Sequence, residues 1–427
     1  MNPIIDKIQL NNLLKEGYFS FIAATLTVIV LPIHVQFLPP FMILWGVFWL
    51  IEKMFNAENK SDITTINKLF FLLFIIYYLW QVIGLLYSDD LRMGYSNLFG
   101  RLSLLLFPLV LTFPGYAIRK KAKYLMKIFA VSTFIFILFC FFFALLRSLN
   151  YQEGGWTFNP HLPGFPWLNY FYGSSLTLSQ HPSYIAMYVL LATFISFESW
   201  FDYSLKFKHR ILWLLLGFLL IISQYFLSSR AGILISLVLV PLYFTRKFYI
   251  LGKRRFAWIW IILVIIVLVP VIAKNQRVDY LYGSFIHKKD DYERKEDPRF
   301  LIWKSALKIA RQNLLIGVGI GDVRTSLASE YEMIGEEKMA KERFNAHNQF
   351  LEILLENGII GLVLFISIFA VMSYIAISDK NLLYGVFIFM IFMFFMFETV
   401  LYRLAGVTFF SLFSFLLLHV PENKNIR

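Results

Sequence analysis

A few arginines and one histidine are the residues best suited to chemistry in this chain, because they stand in short polar turns of an otherwise apolar sequence. Arg230 lies in the tight turn 228–232, between two apolar runs. Its planar guanidinium can donate paired hydrogen bonds that fit phosphate oxygens. The alternative is an arginine whose head simply reaches the lipid headgroups. We predict that Arg230 is a fixed cation for an anionic ligand.

Arg299 follows Asp297 and Pro298, which mark the start of a helix, because Asp is favoured at the N-cap and Pro at the first helical position. The helix dipole disfavours a cation in the first turn. Arg299 is therefore placed against the local preference, which indicates a functional role. An ion pair with Asp297 or Glu296 is the structural alternative.

His347 stands at the start of a new apolar helix, where the positive end of the helix dipole also attracts anions. A neutral imidazole can accept a proton from a hydroxyl group near neutral pH. We therefore predict that Arg230, Arg299 and His347 are the catalytic residues. The alternative for His347 is a capping or interface histidine.

Four further polar residues are predicted to contact the substrate, namely Arg101, His181, Glu398 and Arg403. Arg101 falls inside the fourth apolar run, where a charge is costly and usually faces the interior of a helix bundle. His181 opens the sixth run at the same membrane face. Glu398 and Arg403 flank the last turn at that face, and an ion pair between them is the alternative.

Two other features allow more than one interpretation. The glycine-rich turn 317–321 is either an anion-binding nest or a flexible turn whose neighbour Asp322 caps the next helix. It lacks a preceding strand and a Lys-Ser/Thr pair, so it is neither a Rossmann fingerprint nor a P-loop. Asp89 and Asp90 could bind a metal, but no His/Asp cluster with ligand spacing supports them. We predict no metal and no cofactor.

The elements that must position these residues are membrane helices. The chain has 427 residues, of which 59% are hydrophobic and 16% charged, against about half and about a quarter in soluble domains. Apolar runs of about 18 residues or more predict helices that cross a membrane. We therefore predict an all-α polytopic membrane protein. Its roughly twelve spans are at 17–35, 37–54, 68–87, 94–113, 124–147, 183–199, 211–227, 230–246, 256–273, 347–377, 381–398 and 404–420.

Lysines and arginines gather in alternate short loops, which predicts that both termini are cytoplasmic. The loop 147–182 and the polar region 274–346 then face the periplasm of a bacterium. The predicted parts are N-terminal spans at 1–273, a periplasmic loop subdomain with short helices at 274–346, and C-terminal spans at 347–427. The net charge of +13 follows from the same sorting, so we predict no nucleic-acid partner.

An ordered series of short motifs carries a family resemblance. The motifs are Ser229-Arg230-Ala231-Gly232, Asp297-Pro298-Arg299 with Trp303-Lys304, the glycine turn 317–321, His347-Asn348-Gln349-Phe350-Leu351-Glu352, Glu356-Asn357-Gly358, and Glu398 with Arg403-Leu404-Ala405-Gly406. In these motifs the sequence resembles the O-antigen ligase/polymerase family of bacterial membrane glycosyltransferases. The resemblance covers about the C-terminal half, whereas the N-terminal half matches mainly in its pattern of spans.

The resemblance implies a GT-C-like fold and the inverting transfer of a glycan from undecaprenyl diphosphate, without metal or nucleotide. It implies that Arg230 and Arg299 hold the diphosphate and that His347 acts near the acceptor hydroxyl, as a base. The acceptor is lipid A–core oligosaccharide for a ligase and another lipid-linked repeat unit for a polymerase. The single large loop late in the chain favours a ligase. Membrane lipid is the remaining expected partner.

A transporter or flippase for a lipid-linked oligosaccharide is the competing class. It also needs arginines in a cavity, but it predicts related halves and cations near the middle of the membrane. In this sequence the cations gather at one predicted face, and no internal repeat is evident. These observations favour the enzyme.

Overall fold

The computed structural model describes residues 12–55, 64–152, 154–178, 180–262 and 298–420, and within them the chain is a bundle of α-helices. The helices are α1 (Tyr18–Ile33), α2 (Leu38–Phe55), α3 (Thr65–Leu85), α4 (Leu91–Gly100), α5 (Ser103–Thr112), α6 (Tyr116–Ser148), α7 (Gly173–Leu176), α8 (Pro182–Trp200), α9 (Phe207–Leu227), α10 (Arg230–Ile250), α11 (Pro298–Gln312), α12 (Val323–Met333), α13 (Glu337–Lys341), α14 (Gln349–Ser378), α15 (Leu382–Phe397) and α16 (Leu404–Leu416). Short 3₁₀ turns stand at Val35–Phe37, Val400–Tyr402 and Leu417–His419.

The lengths and compositions of these helices confirm an all-α polytopic membrane protein. Among the described residues, eight helical segments are long and apolar enough to cross a membrane, and α1, α15 and the segment Leu404–His419 are shorter apolar helices. Together they account for eleven of the twelve predicted spans. The predicted span 256–273 lies largely outside the described residues.

Helix α14 is interrupted at Gly358, whose backbone angles (φ 63°, ψ −165°) are not helical. The interruption leaves backbone groups of α14 without partners inside the helix, and the segment before α12 forms hydrogen bonds with them. The amide of Ile359 donates to the carbonyl of Leu314 (2.8 Å), and the amide of Val318 donates to the carbonyl of Leu355 (2.8 Å). Irregular backbone at membrane depth is tolerated when protein groups satisfy it in this way.

The glycine turn 317–321 is packed rather than flexible, which corrects the prediction of a loose turn. A Cβ atom on Gly317 would lie 2.4 Å from the carbonyl oxygen of Leu355, and one on Gly319 would lie 2.3 Å from Oγ of Ser88. Both glycines also have positive φ angles. They are glycines because the turn presses its backbone against the broken part of α14 and the end of α3.

The described part of the polar region forms a small helical unit with an apolar core of its own. Buried side chains of α11 and α12 meet there, including Ile302, Ala306 and Leu327, and Leu355 of α14 closes the core from the membrane side. The unit therefore rests directly on the first turns of α14, which begin beside His347.

Two short β-hairpins follow α6, although the sequence predicts only helices. Strands β1 (Leu149–Gln152) and β2 (Gly155–Phe158) pair antiparallel, and so do β3 (His161–Leu162) and β4 (Phe165–Asn169). The first turn contains Gly154, with φ 125°. Only glycine adopts such an angle without cost, so this residue allows the chain to reverse there.

Candidate active site

Five helices place the predicted polar residues at one end of the bundle, which we call the site end. Helices α8, α10, α14 and α16 begin there and α15 ends there. Side-chain contacts tie these helix ends together. Ser183 Oγ at the start of α8 donates to Glu398 Oε1 beyond α15 (3.1 Å), and Asn348 Nδ2 before α14 donates to the carbonyl of Met396 (3.2 Å).

His347 and Glu398 face each other at the site end. The imidazole Nδ1 lies 3.8 Å from Glu398 Oε2, and the two side chains are 36% and 22% exposed. This distance is too long for a hydrogen bond and short enough for an ionic contact. Nδ1 is itself buried and has no hydrogen-bond partner within the described part of the chain. The pair is therefore both accessible and available for a proton transfer.

His347 does not cap α14. That position belongs to Asn348, whose Oδ1 accepts from the amides of Phe350 (2.9 Å) and Leu351 (3.1 Å). His347 instead has a left-handed backbone, with φ 45°, and its amide donates to Asn345 Oδ1 (3.0 Å). A non-glycine residue in this conformation is uncommon and costs free energy. The turn therefore orients the imidazole toward Glu398 and leaves the capping to its neighbour.

His181 belongs to the same cluster. It occupies the N-cap position of α8 without making a side-chain cap, and its ring packs edge-on against Tyr184 with centroids 5.6 Å apart. Its Nδ1 is buried and unpartnered among the residues described. Burial lowers the pKa of His181, while the nearby charge of Glu398 opposes that shift. The neutral form of this histidine is thus favoured.

The pKa of Glu398 is held below its ordinary value. Burial acts to raise it, but the nearby His347, the charge of His181 and the hydrogen bond from Ser183 together outweigh burial. Glu398 stands in the turn after α15, outside the helix. An ionised carboxylate is thereby held next to His347.

Arg403 and Glu398 form no ion pair in the described structure, although their positions around one turn suggested one. Arg403 is exposed at the N-cap position of α16. The positive charge of Arg403 nevertheless contributes to lowering the pKa of His181, after the larger effect of burial. The carboxylate of Glu398 is engaged by His347 and Ser183 instead. Arg403 is thereby left as a cation near His181.

Arg324 and Ser183 are site-end residues that sequence reasoning missed. The Arg324 guanidinium lies 4.2 Å from the ring centroid of Tyr402 and donates to the carbonyl of Arg343 (3.2 Å). Arg324 therefore adds a cation against Tyr402, the residue before Arg403. Its only sequence signal is an arginine one helical position into α12, and that of Ser183 is its place two residues after His181.

Arg230 and Arg299 lie in the first turns of α10 and α11. Arg230 is the first residue of α10, is exposed, and makes no hydrogen bond or ion pair in the described chain. Arg299 is partly buried in the first turn of α11. One turn later Trp303 donates its indole N–H to the carbonyl of Ala346 (3.1 Å), so the helix face that carries Arg299 is the one turned toward the start of α14. Its suggested partners, Glu296 and Asp297, lie outside the described residues.

Arg101 has a different environment from the other cations. It is buried at the turn between α4 and α5 and forms a two-pronged ion pair with Glu356, with N···O distances of 2.6 and 2.7 Å. Its remaining contacts go to Gln81 Oε1 (2.8 Å) and the carbonyl of Leu401 (3.3 Å). Protein groups occupy the guanidinium, so the structure offers no support for a substrate contact. It links α14, the helix that follows His347, to the turn 398–403.

Asp322 holds two chain segments together instead of capping α12. Its carboxylate accepts from the amides of Asp89 and Asp90, both at 2.8 Å. Asp90 in turn caps α4 through the amide of Met93 (2.9 Å). The residues that the structure describes include no group of three or more metal-ligating side chains. The glycine turn and the turn at 89–90 therefore form a scaffold behind the site end.

A comparison with known protein families matches part of the chain. The sequence profile of a family described as O-antigen ligase matches residues 212–366, a segment that contains Arg230, Arg299 and His347. No curated protein matches the chain. Residues 212–366, less than half of the 427-residue chain, are therefore similar to the O-antigen ligase family, which supports the resemblance carried by the motifs.

Proposed function

We propose that this protein transfers a glycan from undecaprenyl diphosphate to a hydroxyl group of lipid A–core oligosaccharide, on the periplasmic face of the bacterial inner membrane. It is then an inverting, metal-independent O-antigen ligase. One observation carries the proposal. The imidazole of His347 lies beside the carboxylate of Glu398 at the end of the bundle where Arg230 and Arg403 are exposed.

His347 acts as the general base in this proposal. A neutral imidazole has one protonated nitrogen and one lone pair. With the proton on Nδ1, toward the carboxylate of Glu398, the Nε2 lone pair is the acceptor for the proton of the incoming hydroxyl. This tautomer is part of the proposal and rests on the nearness of the carboxylate to Nδ1. Glu398 then stabilises the imidazolium that forms, as a buried carboxylate does beside other catalytic histidines.

The proposed step is a single displacement. The acceptor oxygen loses its proton to His347 Nε2 and forms a bond to the anomeric carbon. The bond from that carbon to the diphosphate oxygen breaks, and its electron pair leaves with undecaprenyl diphosphate. Attack from the face opposite the leaving group inverts the anomeric centre.

Cations at the site end stabilise the leaving group. Negative charge grows on the diphosphate as the bond breaks, and preorganised donors aimed at such charge contribute most to catalysis. Arg230 and Arg299 are the proposed ligands of the diphosphate, with Arg403 and His181 as further contacts. Arg230 suits this role because the described residues leave its guanidinium unpaired and exposed.

The proposed membrane orientation is supported by the lysines at the opposite end of the bundle. Lys123 pairs with Asp202 (2.8 Å) and Lys247 pairs with Glu198 (2.8 Å) there. Basic residues favour the cytoplasmic side. This orientation puts the site end in the periplasm, a compartment where a lipid-linked donor replaces a nucleotide sugar.

The acceptor is tested with purified protein and one lipid-linked repeat unit as donor. A ligase forms a product with lipid A–core and releases undecaprenyl diphosphate stoichiometrically. Glycan chains that lengthen on the lipid carrier without lipid A–core would make the protein a polymerase. Donor that crosses a vesicle membrane unchanged, with no release of undecaprenyl diphosphate, would make it a transporter.

A further inference from the structure

The hairpin of β1 and β2 has two chemically different faces. Leu149 pairs with Phe158 and Tyr151 pairs with Trp156 in its register. Directly paired residues point to the same side of a hairpin and successive residues alternate. These four side chains therefore share one side, which we call the aromatic face. The rings of Tyr151 and Trp156 touch edge-on, with centroids 5.5 Å apart, as this requires.

The other face of the hairpin is polar. It carries Asn150 and Thr157, which form the intervening pair. Thr157 Oγ1 donates to the carbonyl of Asn150 (3.3 Å). The hairpin is thus amphipathic across its thickness, a pattern that normally means one side is covered.

Nothing in the described chain covers the aromatic face. Tyr151 is 73% exposed, Trp156 is 72% exposed and Phe158 is 57% exposed. Three large aromatic side chains side by side in water are costly, and such patches mark interaction sites.

The position of the hairpin identifies the covering partner. It follows α6 directly, and exposed Phe142, Leu145 and Leu146 lie in the last two turns of that helix. The stretch of α6 without charged residues, from 128 to 146, is about 29 Å long at ~1.5 Å per residue, close to the ~30 Å hydrocarbon thickness of a bilayer. The hairpin therefore begins at the membrane boundary.

The aromatic face continues into the rings of the membrane helices. The Phe158 ring lies 6.3 Å from that of Phe171, which lies 6.4 Å from that of Phe141 in α6. Phe141 in turn contacts Phe226 of α9, at 5.2 Å between centroids. Tryptophan and tyrosine are enriched where hydrocarbon meets headgroups, because each ring has an apolar body and a polar edge.

We propose that this hairpin lies on the lipid bilayer at the site end, with its aromatic face in the headgroup–acyl boundary and its polar face in water. The partner is membrane lipid, and the proposal holds whether or not the protein is a ligase. The segment that follows the two hairpins reaches the turn before Arg230, because Tyr172 contacts Tyr225 (5.7 Å between centroids) and Gly173 lies against Ser228.

Site-directed fluorescence tests the two faces separately. In a Cys140→Ala background, which removes the only cysteine, Trp156→Cys reports the aromatic face and Thr157→Cys the polar face. Each is labelled with an environment-sensitive fluorophore in nanodiscs of phosphatidylethanolamine and phosphatidylglycerol. Quenching by brominated acyl chains is compared with quenching by aqueous iodide. Tyr151→Cys and Asn150→Cys repeat the comparison on the neighbouring strand, so that damage from one substitution is recognised.

The expected result is opposite quenching at adjacent residues. Position 156 should be quenched several-fold more by brominated lipid than by iodide, and position 157 the reverse. Equal iodide quenching at both positions would overturn the proposal. Protection of position 156 that appears only at high protein concentration in detergent would show an interface between copies instead. Protection that requires added lipid A–core oligosaccharide would show a glycan-binding face instead.

Discussion

Replacing both members of the buried ion pair of Arg101 and Glu356 by neutral residues should slow glycan transfer while leaving the stability of the protein nearly unchanged. The pair joins α14, which starts beside His347, to the turn that holds Glu398, because Arg101 also donates to the carbonyl of Leu401 (3.3 Å). Both side chains are almost fully enclosed, at 3% and 2% exposure. We expect them to fix the spacing of the two halves of the site.

The two kinds of variant have different expected magnitudes. Arg101→Met alone leaves the Glu356 carboxylate buried without its cation, which costs about 3–5 kcal/mol of unfolding free energy. Adding Glu356→Gln removes the second charge, and replacing a whole buried pair is close to neutral for stability. The double variant still loses the connection to Leu401. A displacement of about 1 Å in a catalytic group costs about 100-fold in rate, so we expect that loss in the double variant.

The assays are thermal unfolding in nanodiscs and single-turnover glycan transfer. Lys247→Met with Glu198→Gln is the matched control, because this pair is also buried (3% and 15% exposure) but lies at the opposite end. Glutamine there keeps an acceptor for the hydroxyl of Tyr243. The control should keep wild-type transfer. Full activity in the stable Arg101 double variant would limit the pair to folding, and wild-type stability in Arg101→Met would refute the burial argument itself.

Three further perturbations follow from the same structure. Arg230→Ala should slow transfer about 100- to 1000-fold at unchanged expression, because one lost donor in a site that stabilises developing charge costs that much in rate. Arg246 is exposed near the other end of α10, and Arg246→Ala should leave the rate unchanged. Gly358→Ala should lower the melting temperature strongly, because about 1–3 kcal/mol of backbone strain adds to a Cβ only 2.2 Å from a carbonyl oxygen; Gly100→Ala, with open space around its Cβ, should not. Because burial lowers the pKa of His181, the unfolded chain takes up the proton first on acidification. The contribution of His181 to the stability of the folded protein is therefore full above about pH 6.5. It is lost as the pH falls toward the lowered pKa of the folded state. His181→Asn should flatten that dependence in melting curves between pH 5 and 8, and an unchanged slope would show that the histidine is not desolvated.

Local sequence signals were enough to predict the membrane helices, and they also singled out one residue of the candidate site. Apolar runs of span length must become helices in lipid, and eleven of the twelve predicted runs are helices. His347 stood out because it opens such a run after a polar region. Its role in the chain was less visible, because His347 and Asn348 are equally plausible caps until the backbone angle of His347 is known.

Long-range pairing explains what the sequence could not reveal. Arg101 and Glu356 are 255 positions apart, and no periodicity connects two charges in different spans. The break at Gly358 depends on backbone contacts with the segment around Leu314, and a glycine in an apolar run is usually tolerated within a helix. The hairpin after α6 is only ten residues long, so its alternation of aromatic and polar residues is too short to identify a strand on its own.

Transfer by His347→Asn at saturating donor tests the proposed chemistry most directly. Asparagine tolerates the left-handed backbone of this position, and Asn348 continues to cap α14, so the fold should be preserved. We predict a protein that melts normally, binds undecaprenyl-diphosphate-linked glycan with unchanged affinity, and transfers it about 100- to 10,000-fold more slowly in a single turnover. A His347→Asn protein that transfers glycan at the wild-type rate would contradict the account.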